Sequence, residues 1–234
     1  MYLVYKIKII HLQNKNTYKN ISIDGPAASG KTTLGEELAL RINYKFLDTG
    51  LMYRFVAFRS LLDGIDVNNE KAIVDISNNI DISSFDLQKG EVYFQGKKVT
   101  ASLKERNIDS TVSLIAKYSL VRKILVNHQR QIALNNNLVM VGRDIGTVVL
   151  PEADHKFFIT ATPEIRAKRR FKDLLFLNNL SYEEILYDIK KRDSIDISRK
   201  NSPLIPAKDA IVIDTSEMSF DISVIEIMKF LEVL

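Results

Sequence analysis

Cysteine is absent from the 234 residues of the chain, which excludes disulfides and cysteine-based zinc sites and fits a reducing cytoplasm. Histidine is scarce, and His11, His128 and His155 are too scattered to suggest a metal cluster. No apolar run approaches the ~18 residues of a membrane-spanning helix, so no membrane partner is expected. Lys6 and Lys8 interrupt the apolar stretch at the amino terminus and no small-residue cleavage site follows, so no signal peptide is expected either. There is no internal repeat, no low-complexity segment and no Asn-Lys-x-Asp guanine-reading motif, and the last absence argues against a GTPase. A basic stripe interleaved with aromatics is also missing, which argues against nucleic acid as a partner. Nothing reads as an exposed interface helix, so a monomer is expected. The net charge of +4 suits a protein that handles phosphates, but also many that do not.

What is present is ordinary in bulk and specific in detail. With 46% hydrophobic and 26% charged residues, the chain has the composition of a soluble globular protein. Its length allows one large α/β core, or a core with a small insert. The specific detail is GPAASGKTT at residues 25–33, which matches the phosphate-loop pattern G-x-x-x-x-G-K-[ST]. Residues 21–24 upstream alternate like a strand, and Leu34, Leu38 and Ile42 downstream are spaced as on one helix face. The motif therefore lies between a strand and a helix, as its mechanism requires. Gly25 and Gly30 let the backbone turn tightly, and the loop of Pro26, Ala27, Ala28 and Ser29 presents its N–H groups to phosphate at a helix start. Lys31 is expected on the β/γ-phosphates, Thr32 on Mg²⁺, and Thr33 completes the ATP-binding stretch.

The remaining chain alternates between helical and strand patterns. Residues 1–20 form an extension that could be an extra edge strand, a loose tail or a start-site artefact. Residues 44–47 read as a strand, followed by a helix through about residue 62; Asn68 or Asn69 caps a helix reaching Ile80. Residues 81–100 read as short strands joined by tight turns. A long helical stretch covers about 108–134, with a candidate break at 117–119. Strands follow at 138–141, 156–160 and 210–214. Pro163 sits at a helix start, SYEE at 181–184 has capping-box spacing, and an amphipathic helix closes the chain. The alternation favours a parallel sheet with helices on both faces and a small antiparallel insert.

Four separate motifs carry a family resemblance. IDGPAASGKTT at 23–33, DTGLMYR at 48–54, GRDIGTVVLP at 142–151 and RDSIDISR at 192–199 resemble bacterial cytidylate kinase in order and spacing. The resemblance implies a P-loop nucleoside monophosphate kinase fold and transfer of the γ-phosphoryl group of ATP to CMP or dCMP, with Mg²⁺ as cofactor. It divides residues 21–234 into a core (21–63, 135–165, 200–234), an acceptor-binding insert (about 64–134) and a lid (about 166–199). It also implies that Arg54, Arg143 and Arg192 grip the acceptor phosphate, with Thr49 adding a hydroxyl. Guanidinium forks suit phosphate geometry, and phosphoryl transfer asks mainly for positioning and neutralised charge. Cytosine offers an exocyclic amine donor and an N3 acceptor, and by resemblance Ser113, Arg122 and Asp144 read them. Asp196 with Arg192 would hold the ribose, and Arg199 would close with the lid over the transferring group.

Taken singly, several of these residues have plainer readings. Arg122 could be a solvated helix residue, Asp144 a helix cap, and Ser113 alone says nothing. The run of cations at 166–170 reads as a solvated helix face or a nucleic-acid patch, with the solvated face favoured and one arginine reaching ATP. Lys104, Ile195 and Ser198 depart from the family pattern, at positions where arginine or charged residues are usual. Competing functions are a kinase for UMP or AMP, a nucleotide-gated regulatory protein and, weakest, a basic nucleic-acid binder.

Overall fold

The computed structural model describes residues 20–174, 181–199 and 202–232; the alternatives for residues 1–19 lie outside them. Strand β1 (Asn20–Asp24) runs into the glycine loop and helix α1 (Lys31–Ile42). Helix α1 stops at Asn43, whose left-handed backbone (φ 56°) turns its N–H back onto the carbonyls of Ala39 and Leu40. Strand β2 (Lys45–Asp48) leads into α2 (Thr49–Leu62), capped by the Asp48 carboxylate, which accepts the Gly50 N–H. Asn69 caps α3 (Glu70–Asn78) by accepting the Ala72 N–H. That helix ends short of the expected Ile80, because the Asn79 side-chain amide donates back to the Asp75 carbonyl.

The strand-and-turn stretch folds as expected into a small antiparallel sheet of β3 (Phe85–Asp86), β4 (Glu91–Phe94) and β5 (Lys97–Lys98). Gln95 and Gly96 both have positive φ (49° and 75°), so the two-residue turn matches the twist of the strands it joins. The long helical stretch is two helices, α4 (Arg106–Ile115) and α5 (Ser119–Leu134). At the break, Tyr118 leaves helical geometry (ψ 115°) and its hydroxyl donates to the Val67 carbonyl at 2.9 Å.

Strand β6 (Leu138–Gly142) ends in a wide helical turn over residues 145–149, then β7 (His155–Thr160), α6 (Pro163–Leu174) and α7 (Tyr182–Ser198) follow. The expected capping box at the start of α7 is formed, with Ser181 and Glu184 bonding each other's backbone N–H. Strand β8 (Ile211–Asp214) and α8 (Phe220–Glu232) complete the described chain.

Five strands form one parallel sheet in the order β2-β6-β1-β7-β8. Strand β6 is apolar on both faces, as a sheet covered on both sides requires, whereas β1 turns Ile21 and Ile23 to one face and buries Ser22 and Asp24 on the other. Val139 and Val141 of β6 join Ile21, Ile23, Phe157 and Ile159 beneath α1 and α8. Leu138 and Met140 point to the opposite face and join α2, α5 and the small sheet. Gly35 allows α1 to lie close on this sheet, since a Cβ there would meet Val141 Cγ1 at 2.5 Å. Truncating Phe157, 1% exposed in this layer, would cost about 3–5 kcal/mol. Because the strands are parallel, the loops after β1, β2 and β6 leave the same end of three adjacent strands. Ligands of open α/β sheets bind at that end.

Candidate active site

The loop after β1 is held from outside by cations bonded to its carbonyls. Arg143 donates to the Gly25 carbonyl (2.9 Å), Lys31 to Pro26 (3.2 Å), Arg166 to Ala27 (3.2 Å) and Arg169 to Ser29 (3.2 Å). With its carbonyls engaged in this way, the loop has the character of a nest of N–H groups suited to an anion. Gly25 must be glycine, since a Cβ there would lie 2.0 Å from the Ile159 carbonyl oxygen. Ala28 holds a left-handed backbone (φ 57°) that alanine rarely adopts, and such outliers concentrate at ligand clamps. The Ser29 hydroxyl is buried with no hydrogen-bond partner, a polar atom that a phosphate oxygen would satisfy.

Cations crowd this loop. Burial lowers the pKa of Lys31 well below its ordinary value, and the Arg143 guanidinium lowers it further. Burial and Arg143 likewise bring Arg192 down to about 10. A polyphosphate placed among Lys31, Arg143 and Arg192 would relieve both the desolvation and the mutual repulsion. The Thr32 hydroxyl donates to Asp48 Oδ2 at 3.3 Å. A hydroxyl and a carboxylate oxygen suit a hard Mg²⁺ that takes its other ligands from water and phosphate.

The acceptor candidates are joined in pairs and with backbone carbonyls. Arg122 donates to Asp144 at 2.6 Å, with side chains only 11% and 12% exposed, so the solvated-surface reading of Arg122 does not hold. Asp144 precedes the turn at 145–149 without capping it through its side chain. Ser113 lies half-buried on α4. Asp196 is buried between two arginines: Arg143 donates to it through Nε at 3.1 Å, and Arg199 pairs with its other oxygen. Arg54 pairs with Asp109 and donates to the Leu103 carbonyl at 3.0 Å. Thr49 is buried and its hydroxyl donates to the Val141 carbonyl at 2.9 Å, so its proton is engaged within the sheet. The departures Lys104, Ile195 and Ser198 are all exposed.

The reading of residues 166–170 as a solvated face is corrected for Arg166 and Arg169, while Lys168 is exposed. Arg166 is 3% exposed and forks onto Asp193 at 3.0 and 2.6 Å, and Arg169 donates to the carbonyl and hydroxyl of Thr215 as well as to Ser29. Both turn inward because the loop's carbonyls have to be satisfied, and α6 offers donors one turn apart.

Three groups at the site carry no role in the sequence reading. Asp24, 3% exposed at the end of β1, accepts the N–H groups of Ile145 and Gly146 at 2.8 and 2.7 Å and so ties the phosphate strand to the turn after β6. Burial raises its pKa to about 6 against the pull of those two bonds. Tyr53 lies within electrostatic reach of Arg122 and Asp144, and burial raises its phenol to about 12. Asp109 bonds Arg54 on α2 and Arg170 on α6. The signal for Asp24 was its place at a strand end beside the motif, and for Tyr53 its place inside DTGLMYR. Nothing in the sequence singles out Asp109.

The chain matches a family model described as "Cytidylate kinase" over residues 21–232. It is 40% identical over 210 residues to a protein named "Cytidylate kinase" from Clostridioides difficile strain 630, covering 89% of this chain and 96% of that one. It is 43% identical over 205 residues to one of the same name from Caldanaerobacter subterraneus subsp. tengcongensis, covering 87% and 90%. Among solved structures it is similar to an uncharacterized protein from Eubacterium ventriosum ATCC 27560, with a TM-score of 0.50, 14% identity and 91% and 98% of the two chains covered. That likeness shows the fold alone.

Proposed function

The chain belongs to the cytidylate kinase family, and we propose that it transfers the γ-phosphoryl group of ATP to CMP or dCMP, giving ADP and CDP or dCDP, with its residues dividing the work as set out below. The observation that carries this reading is the position of Arg143. Its Nη1 bonds the phosphate loop at Gly25 and its Nε bonds Asp196, so one guanidinium spans the donor loop and the acceptor pocket.

The reaction is a displacement in line. An oxygen of the acceptor monophosphate bonds to the γ-phosphorus as the bond from that phosphorus to the β–γ bridging oxygen breaks, and ADP leaves with the electron pair. The chain has little covalent chemistry to perform; it positions two anions and neutralises them. The loop at 25–33 holds the ATP phosphates through its N–H groups, with Lys31 on the β/γ oxygens. Thr32, beside Asp48, would hold Mg²⁺, which when bound neutralises phosphate charge. Arg54, Arg143 and Arg192 hold the acceptor phosphate. The Arg122–Asp144 pair and Ser113 read cytosine, and Asp196 holds the ribose. Arg199, paired with Asp196 on α7, moves with the lid, whose closure excludes water from the transferring group.

This reading assigns residues 64–134 to acceptor binding and 166–199 to the lid, with the parallel sheet as core. It has the chain act as a monomer in the cytoplasm on free nucleotides. No helix among the described residues is long and apolar enough to cross a membrane.

ADP release from ATP·Mg²⁺ tests the proposal, with no acceptor, CMP, dCMP, UMP or AMP offered in turn. Release that depends on CMP or dCMP supports it. Release without an acceptor moves the chain to the ATPases, and equal release with UMP or AMP removes the cytosine-reading role of Arg122 and Asp144.

A further inference from the structure

Asp109 stands among the arginines that face the acceptor phosphate. It lies on α4, within the insert, with its side chain 22% exposed. One carboxylate oxygen pairs with Nη2 of Arg54 on α2, and the other lies 3.2 Å from Nη2 of Arg170 on the lid helix α6. It is also close enough to Arg192 to stabilise that cation. Meanwhile Nη1 of Arg54 donates to the Leu103 carbonyl. Both terminal nitrogens of Arg54 are thus engaged by the insert, through a carboxylate and a backbone carbonyl. A guanidinium has five N–H donors, so a phosphate that reaches Arg54 must either share it with the Asp109 carboxylate or take that carboxylate's place.

We infer that Asp109 is a resident counter-anion on the acceptor-phosphate grip, held by Arg54 and Arg170 and displaced from Arg54 by the incoming monophosphate. The inference rests on the reading that Arg54 holds that phosphate. A phosphate with two charges and three oxygens outcompetes a single carboxylate for the fork. The pair is open enough for exchange, since Arg54 is 19% and Arg170 42% exposed. Asp109 therefore sets acceptor affinity by competition. It joins the core helix, the insert and the lid through one side chain, so acceptor binding frees a contact between the insert and the core helix and leaves the one to Arg170 on the lid.

The opposite role makes the opposite prediction. Were Asp109 a support that orients Arg54, its removal would weaken CMP binding. The test is the Kd of CMP by titration calorimetry for the full chain and for Asp109→Asn and Asp109→Ser, with thermal melting to confirm that each variant folds. Competitive counter-charge predicts that CMP, and inorganic phosphate competing with it, bind about threefold to tenfold more tightly to either variant. Cytidine, which lacks the phosphate, binds unchanged. An unchanged or weaker CMP affinity in the folded variants overturns the inference, as does an equal gain for cytidine. Arg54→Gln separates this from the reading beneath it. If that change leaves CMP affinity intact, the assignment of Arg54 falls and the role of Asp109 falls with it. If it weakens CMP while the Asp109 variants do not tighten it, only the counter-anion is wrong.

Discussion

The donor and acceptor halves proposed for the site are built on different kinds of bond. On the donor side, Lys31, Arg143, Arg166 and Arg169 end on backbone carbonyls of the glycine loop. On the acceptor side, cations end mainly on carboxylates: Arg122 on Asp144, Arg199 on Asp196 and Arg54 on Asp109. A carbonyl fixed in a loop holds one geometry. A carboxylate can be exchanged for another anion or can turn with its side chain. The donor half is accordingly set for one polyphosphate, while the acceptor half has bonds that a nucleotide can replace. Arg143 takes part in both patterns, bonding the Gly25 carbonyl and the Asp196 carboxylate, and Arg166 likewise bonds Ala27 and Asp193.

Removing Lys31, the cation assigned to the β/γ-phosphates, tests the proposed donor half most severely. Lys31→Met is expected to lower kcat about 10³-fold. Its thermal stability should be unchanged or raised, because burial and Arg143 make the Lys31 charge costly in the folded protein. Steady-state rates and a melting curve check both; a large loss of stability would mean that Lys31 is a structural cation.

Asp144→Ala probes the acceptor half and should lower kcat/KM for CMP about 10²-fold while the Kd of ATP changes little. Selectivity for CMP over UMP should narrow at the same time. An equal loss for every acceptor would count against base reading.

Asp24 joins the halves, and its titration has a defined sign. Its pKa is raised to about 6 in the folded chain from 3.8, so the folded state binds more protons than the unfolded state between those values. The raised pKa therefore lowers stability as pH rises through this window, by about 3 kcal/mol. Urea unfolding at pH 4, 5, 6 and 7 should show the decline in the native chain. In Asp24→Asn the decline should flatten, while kcat/KM for CMP falls because the amide cannot accept both the Ile145 and Gly146 N–H groups. A pH slope that survives the change assigns it to other groups.

The smallest effect is expected at the loop's outer support. Arg169→Gln should raise KM for ATP about fivefold to tenfold and leave the Kd of CMP unchanged. A matching loss for CMP would show that the two halves are mechanically one.

Much of this was legible in the residues. The phosphate loop announces itself through Gly25, Gly30, Lys31 and Thr32, because its geometry depends on backbone turns and on side chains at fixed spacing. The strand at 138–141 is apolar because both faces of the sheet are covered there, the strand at 21–24 shows itself by alternation, and SYEE at 181–184 carries its cap locally. The inward turn of Arg166 and Arg169 was not legible, because helix periodicity marks which face meets an apolar core. Here the face meets a polar loop, so cations rather than leucines mark the packed side. Asp109 was hidden for a related reason: its partners, Arg54 and Arg170, lie 55 and 61 residues away along the chain, and no local pattern relates them.

The small antiparallel sheet shares its apolar interior with the main body of the protein. Phe85 and Val92 belong to the same buried cluster as Met52, Leu125 and Met140, and Phe55 of α2 lies edge-on to Phe85 and Phe94. Excising residues 64–134 would leave α2 alone over one face of the parallel sheet, so the proposed insert is not a module that can be grafted or deleted. The described chain should melt as one cooperative unit, and a calorimeter should record a single transition.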